Sequence, residues 1–214
     1  MARKTVWHDD YWLLLMQIYL HRPVGVKPLY NREMVDLSLE LHIAPEALRA
    51  RMQQIAELQT PRIERIWQDY GKNPQRLGRA VRLLRSMKGF GAGEAFYDGV
   101  EVRETFEKDF RPLEEDERLT PAMLIMVLNL YFQLTPATMV SDTPEVVELA
   151  RRLRLKPVDV VAILEVYQHC DPYLNRRDVI ISPLLLPCQQ VWQRYADDSQ
   201  LPMLAEELGE YFRS

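Results

Sequence analysis

Hydrophobic positions along the chain fall into two similar sets of helical segments. Each set opens with a segment that is apolar almost all round, YWLLLMQIYL or AMLIMVLNLYF, which predicts a buried central helix. In the second helix apolar residues recur at helical spacing, at positions 34, 35, 37, 41 and 43 or 146, 147, 149, 153 and 155. A third helix is predicted to begin at Pro45 or Pro157, because the fixed φ of proline suits a first turn. Two short helices around a tight turn predict a helix-turn-helix unit in each set.

The two sets are related by a shift of 112 residues, without a gap between residues 13 and 58. Under this shift Tyr19 falls on Tyr131, and the segment IWQDY returns further on as VWQRY after 13 additional residues. Because the apolar spacing and the W-Q-x-Y element recur together, we interpret the chain as an internal duplication. The duplication predicts equal burial for the two tyrosines, and a largely buried Trp67 and Trp192, each packed on the first helix of its own copy.

Two further regions complete the predicted fold. One lies between the copies, and the other lies near the end of the second copy. Residues 74–88 have an apolar and a basic face and predict a linker helix. AFYDGVEV (95–102) predicts a hairpin or wing, and VIISPLLLP (179–187), twice interrupted by proline, predicts an extended buried segment. The predicted fold is mainly α, with two tandem helix-turn-helix (winged-helix-like) repeats, a linker helix and minor β. The predicted domains are 1–73 for the first repeat, 74–118 for the linker region and 119–214 for the second, diverged repeat.

Composition is that of an ordinary globular protein, with 47% apolar and 27% charged residues. No apolar run approaches the roughly 20 residues of a membrane span, and the start, MARKTVWHDD, lacks a signal-peptide core. The two cysteines, Cys170 and Cys188, do not imply a disulfide framework. We therefore expect a cytoplasmic protein that does not contact membranes.

Charge is distributed unevenly, although the net charge is only −4. Residues 1–112 carry 18 basic and 15 acidic side chains, whereas residues 113–214 carry 9 and 16. The stretch 49–88 concentrates ten basic residues against three acidic ones. This basic patch is either an electrostatic footprint for nucleic acid or a surface that docks internally against the acidic half.

Two groups of polar side chains are candidates for DNA contact. Arginine and glutamine can read base edges in a major groove, and the third helix of the first repeat carries Arg49, Arg51, Gln53 and Gln54. Cations that recur every third residue suit a phosphate backbone, and the linker helix carries Arg76, Arg79, Arg82, Arg85 and Lys88. The alternative for both groups is an ordinary solvated helix face. The third helix of the second repeat lacks Lys and Arg, and favours contact with protein through Val160, Val161, Ile163 and Val166.

Five segments of the sequence carry a resemblance to a known protein family. They are LNLYFQLTP, TPEVVELARRLRLKPVDVVAIL and HCDP in the second copy, and MQIYLHRPVG and NREMVDLSLELHIAPEALRARM in the first. This tandem pattern resembles the helical region that precedes the nuclease domain of some bacterial HNH-type proteins. The resemblance implies a helical, helix-turn-helix-like fold and an association with DNA transactions. It does not imply cleavage, because no HNH cassette follows and the histidines are scattered at His8, His21, His42 and His169.

Signatures of catalysis are weak in this sequence. His8-Asp9-Asp10 and His169-Cys170-Asp171 each lack a second spaced pair of metal ligands, and neither a nucleophile elbow nor a P-loop occurs. We therefore predict a DNA-binding or DNA-associated regulatory protein of bacterial type that is not an enzyme and needs no cofactor or metal. DNA would contact residues 45–88, while the second repeat would contact a protein partner or a second copy. The alternative is a protein–protein adaptor whose helix-turn-helix-like units bind protein.

Overall fold

The computed structural model describes residues 7–88, 90, 106–174, 176 and 181–213. The chain divides into two compact units, Met1–Thr105 and Phe106–Ser214. The described residues form ten α-helices and three short 3-10 helices, and they contain no β-strand. The prediction of a mainly α fold is therefore confirmed. The predicted hairpin or wing at 95–102 lies outside the described residues.

The first unit is built around its first helix. Its described helices are α1 (Tyr11–Leu20), α2 (Arg32–Leu41), α3 (Pro45–Ala56), α4 (Pro61–Tyr70) and α5 (Pro74–Arg85). The apolar α1 contacts each of the other four and buries Leu14, Leu15 and Met16 at the centre of the core. This central position follows from its sequence, because a helix that is apolar on every side can only be covered by other helices.

The second unit has a comparable arrangement around its own apolar helix. Its described helices are a 3-10 helix (Phe106–Phe110), α6 (Pro121–Tyr131), a 3-10 helix (Pro136–Thr138), α7 (Pro144–Leu153), α8 (Pro157–Cys170), a 3-10 helix (Pro172–Leu174), α9 (Leu185–Tyr195) and α10 (Leu201–Phe212). The central helix α6 contacts α7, α8, α9 and α10. The core of each unit is thus one apolar helix in contact with four others.

Local sequence signals explain where most of these helices begin. Proline occupies the first turn of several helices, where its missing N–H costs nothing because that N–H has no partner within a helix. The residue before the first turn accepts a backbone N–H bond through its side chain in four cases, which are Asn31, Thr60, Asn73 and Thr120. Such N-terminal caps each contribute about 1 kcal/mol to helix stability.

The corners of the two helix pairs have the same backbone geometry. His42 ends α2 with a positive φ of 54°, and Arg154 ends α7 with a φ of 58°. The N–H of Ile43 donates to the Ser38 carbonyl at 3.1 Å, and the N–H of Leu155 donates to the Ala150 carbonyl at 2.9 Å. Each pair of equivalent residues is 112 positions apart. Both corners therefore satisfy the end of the first helix with the same left-handed turn.

The aromatic pairs also correspond, although their burial differs. The rings of Tyr19 and Trp67 lie 6.0 Å apart, and those of Tyr131 and Trp192 lie 5.6 Å apart, both edge to face. The predicted contact of each tryptophan with the first helix of its own copy is thus confirmed. The predicted equal burial is wrong: Tyr131 is buried and Tyr19 only half-buried. Both tryptophans are half-buried as well.

Two segments differ from the sequence prediction. Helix α5, which the pattern assigned to a linker, packs on α1 within the first unit and buries Leu77, Val81 and Leu84. The prediction of an extended buried segment over 179–187 is wrong in two respects. Its last residues belong to α9, which begins at Leu185, and Ile181 is 95% exposed. Pro187 is compatible with this helix because it lies in the first turn, where backbone N–H groups lack helical partners.

Candidate nucleic-acid interface

Helices α1 and α5 form an open groove with a volume of about 550 Å³. Polar and cationic side chains line most of it. The lining residues are Gln17, Gln75, Gly78, Arg79, Val81, Arg82 and Arg85. Guanidinium and amide groups are hydrogen-bond donors, so this groove is suited to an anionic ligand with several oxygen acceptors.

The sequence of α5 explains why the arginines spread around the helix. Residues three apart are separated by about 300° in an α-helix, so each arginine is set back by about 60° from the one before. Leu77, Val81 and Leu84 face the core, which leaves Arg79 and Arg82 on the side turned away from it. The cations therefore cover a broad outer surface rather than a single narrow stripe.

Most cations of α5, and Lys88 three residues after its end, form no ion pair with a described carboxylate. Arg76, Arg79, Arg82 and Lys88 are exposed, and none forms an ion pair within the part of the chain that the structure describes. Arg82 Nε donates to the Gly78 carbonyl at 3.3 Å, and Arg76 lies 5.1 Å from the Tyr70 ring centre. These contacts hold the side chains against the helix without reducing their charge. The outer face of α5 is therefore electropositive.

Arg85 is the exception, because it contacts a carboxylate of another helix. Its Nε and Nη2 donate to the two carboxylate oxygens of Glu40, at 2.8 Å and 2.7 Å. The side chains of Arg85 and Glu40 are 48% and 28% exposed, so solvent reaches this ion pair. A fork of two parallel bonds is the geometry that arginine also adopts with phosphate.

The candidate residues of α3 do not form a comparable surface. Arg49 and Arg51 are two positions apart and lie on opposite flanks of the helix. Arg49 is exposed, whereas the guanidinium of Arg51 lies 4.1 Å from the ring centre of Trp7 and 5.9 Å from that of Trp12. Burial lowers the pKa of Arg51. Arg51 is therefore engaged with aromatic rings of its own unit, and is less accessible than the exposed Arg49.

Carboxylates accompany the remaining polar residues of α3. Gln53 Nε2 donates to Glu57 Oε1 at 2.6 Å, and Gln54 is half-buried. Arg49 and Gln53 line a shallow depression of about 350 Å³ together with Glu46, Leu29 and Ala50. This depression shares no lining residue with the groove between α1 and α5. The structure thus places the two groups of candidate residues at separate sites.

The contact of Arg51 with tryptophan predicts a structural role. Replacing Arg51 with Ala should lower the free energy of unfolding by about 1–2 kcal/mol, because a partly desolvated guanidinium on an indole ring and its packed stem are lost. Arg49→Ala is the matched control on the same helix, and we expect a change within about 0.5 kcal/mol because Arg49 is exposed. Urea unfolding followed by circular dichroism measures both. Equal effects of the two variants would contradict the packing role.

The predicted partner-binding face of α8 is wrong for most of its members. Val160, Ile163 and Val166 are buried, because α8 is covered by α6, α7 and α9. Val161 is half-buried, and Val158 is 58% exposed. The face of α8 that reaches solvent is therefore only partly apolar, since it also carries Glu165.

The potential catalytic and metal-binding residues of the second unit have structural contacts. Tyr131 Oη donates to Asp171 Oδ2 at 2.7 Å, and the Tyr173 N–H donates to Asp171 Oδ1 at 2.8 Å. Burial raises the pKa of Cys170 to about 11 and that of Cys188 to about 12, so both thiols are protonated at neutral pH. Among the described residues, no group of three His, Cys, Asp or Glu side chains is arranged to hold a metal ion.

Sequence reasoning identified the arginines of the groove and missed two of its lining residues, Gln17 and Gln75, as well as the carboxylate of Glu40 that pairs with Arg85. The sequence does carry a signal for Gln17. In the segment YWLLLMQIYL it is the only residue that is neither aliphatic, methionine nor aromatic, and its side chain lines the groove. Gln75 was overlooked beside the arginines. Glu40 has no local signal, because it reaches Arg85 from a helix 45 positions earlier in the chain.

Comparison with known proteins returned no similar family model, curated protein or solved structure. None of the helices in the described ranges is both long and apolar enough to cross a lipid bilayer.

Proposed function

We propose that this chain is a cytoplasmic DNA-binding or DNA-associated regulatory protein, without catalytic activity, that holds the phosphate backbone in the groove between α1 and α5. The observation that carries the proposal is the cluster of Arg79, Arg82 and Arg85 with Gln17 and Gln75 along one open groove. Three guanidinium groups supply many hydrogen-bond donors to phosphate oxygens. They also attract a polyanion over a distance that shortens as the salt concentration rises.

The groove favours backbone contact over base recognition. Contacts to phosphate position a protein on DNA, whereas sequence is read at base edges. The exposed cations of α5 provide charge, and the two glutamines provide neutral donors for the same oxygens. Any sequence preference would come from Arg49, Gln53 and Gln54 of α3. Glu46 and Glu57 near these residues would weaken that contact by repelling phosphate.

The proposal includes a repeated helix-turn-helix-like architecture. Helices α2 and α7 have the same length and begin 112 residues apart, and α3 and α8 begin 112 residues apart as well. The matching left-handed corners at His42 and Arg154 support a common origin. Helices α5 and α10 extend the correspondence, because each packs on the central helix of its own unit. We infer a duplicated five-helix unit whose copies have diverged.

An adaptor or self-associating protein is the second candidate, and one observation favours it. Helix α10 of the second unit carries Glu206, Glu207 and Glu210, whereas the corresponding α5 carries arginines. Surfaces of opposite charge on the two units could bind two copies of the chain to each other, or bind two different protein partners. Such association would weaken with salt, as DNA binding would, so only a direct test with DNA separates the two candidates.

A titration with fluorescent random-sequence duplex DNA tests the proposal. If Arg76, Arg79, Arg82 and Lys88 each neutralise one phosphate, log affinity should fall with log salt at a slope of about −3.6. Affinity should then drop about a hundredfold between about 50 mM and about 200 mM salt. Absence of binding at the lowest salt, where the electrostatic contribution is largest, would reject the DNA proposal and leave the adaptor.

A further inference from the structure

We propose that Glu40 acts as an internal competitor for the phosphate that would otherwise bind Arg85, and so limits the affinity of the groove between α1 and α5. This inference rests on the proposed function, since it assigns a regulatory residue to the same site. It concerns a side chain from α2 that does not line the groove itself.

The geometry of the ion pair supports competition. Glu40 presents two carboxylate oxygens to Nε and Nη2 of Arg85, at 2.7–2.8 Å. A phosphate group would present two of its oxygens to the same two donors in the same fork arrangement. One guanidinium edge cannot hold both anions, so a DNA phosphate has to displace Glu40 or accept fewer bonds.

The charge and exposure of the pair make displacement feasible. Arg85 also lines the groove, so its guanidinium is within reach of a ligand there. The ion pair is partly exposed, and exposed ion pairs contribute little to stability, so its rupture does not endanger the fold. The other cations of α5 have no ion pair within the described residues. Glu40 therefore determines whether Arg85 is free to bind a ligand in the groove.

A double-mutant cycle with Glu40→Gln and Arg85→Gln tests this inference. Glutamine keeps the shape of the glutamate side chain and removes its charge, so Arg85 becomes available to phosphate. In random duplex titrations at about 50 mM salt, Glu40→Gln should bind about tenfold more tightly than the wild-type chain. The salt slope should also steepen by about 0.9, which corresponds to one additional phosphate contact. In the Arg85→Gln background the same substitution should leave both quantities nearly unchanged.

Glu64→Gln is the matched control, because it removes one negative charge from the same unit at an exposed position of α4 that lines neither the groove nor the depression beside α3. We expect less than about a twofold gain and no change of slope. Equal gains for Glu40→Gln and Glu64→Gln, or a gain that persists without Arg85, would show a general charge effect and overturn the inference. Circular dichroism confirms that each variant is folded. If the wild-type chain binds no duplex, the proposed function fails; if it binds and the cycle shows no coupling, only the role of Glu40 fails.

Discussion

Reversing the charge of Arg79 and Arg82 together should lower the affinity for random duplex DNA by at least about a hundredfold at about 50 mM salt. Two phosphate contacts would be lost, and two carboxylates would repel the backbone in their place. The salt slope should flatten by about 1.8, since each contact contributes about 0.9. These two residues are suitable because they line the groove, are exposed, and form no ion pair within the described ranges. Their replacement should therefore leave the fold intact.

A matched control separates the groove from net charge. Arg65→Glu with Lys72→Glu changes the charge of the first unit by the same amount, at exposed positions that do not line the groove. We expect a smaller loss of affinity and a smaller change of slope, because long-range attraction is screened by salt. Equal losses for the two double variants would mean that DNA responds to overall charge and not to the arginines of the groove.

Replacing Trp192 with Ala should destabilise the second unit by about 3 kcal/mol. The indole packs against three rings, with centres 5.6 Å from Tyr131, 5.5 Å from Phe132 and 6.2 Å from Tyr167. Removing a large aromatic side chain from such a cluster leaves a cavity that its neighbours fill only partly. The loss should remain at the lower end of the usual range for aromatic truncation, because Trp192 is half-buried. Urea unfolding followed by circular dichroism measures the change.

Two further variants sharpen this stability prediction. Trp192→Phe keeps an aromatic ring in the cluster and should therefore be much less destabilised than Trp192→Ala. Trp67→Ala in the first unit should cost less than Trp192→Ala, about 2 kcal/mol, because its ring has one aromatic neighbour among the described residues, Tyr19. An unchanged free energy of unfolding for Trp192→Ala would show that the aromatic cluster does not stabilise the unit.

The sequence by itself determined the first three helices of each unit, their order, and the helical character of residues 74–85. Apolar spacing located α1, α2 and α3 and their counterparts, and proline located the first turns of α3 and α8. Such signals act between residues within one or two helical turns, so they can be read without knowledge of the fold. The sequence also identified the basic character of 74–88, because charge does not depend on the fold. It did not show that this helix packs against α1.

Only the tertiary structure decided which charged and apolar side chains remain available for binding. Arg51 and Arg49 look alike in the sequence, yet Arg51 lies on Trp7, a residue 44 positions earlier. Val160 and Ile163 suggest a binding face until the neighbouring helices cover them. Arg85 forms an ion pair because Glu40 reaches it from α2, whereas Arg82 forms none among the described residues. Each of these outcomes depends on contacts between residues distant in the sequence, and local hydrophobic spacing and charge do not encode such contacts.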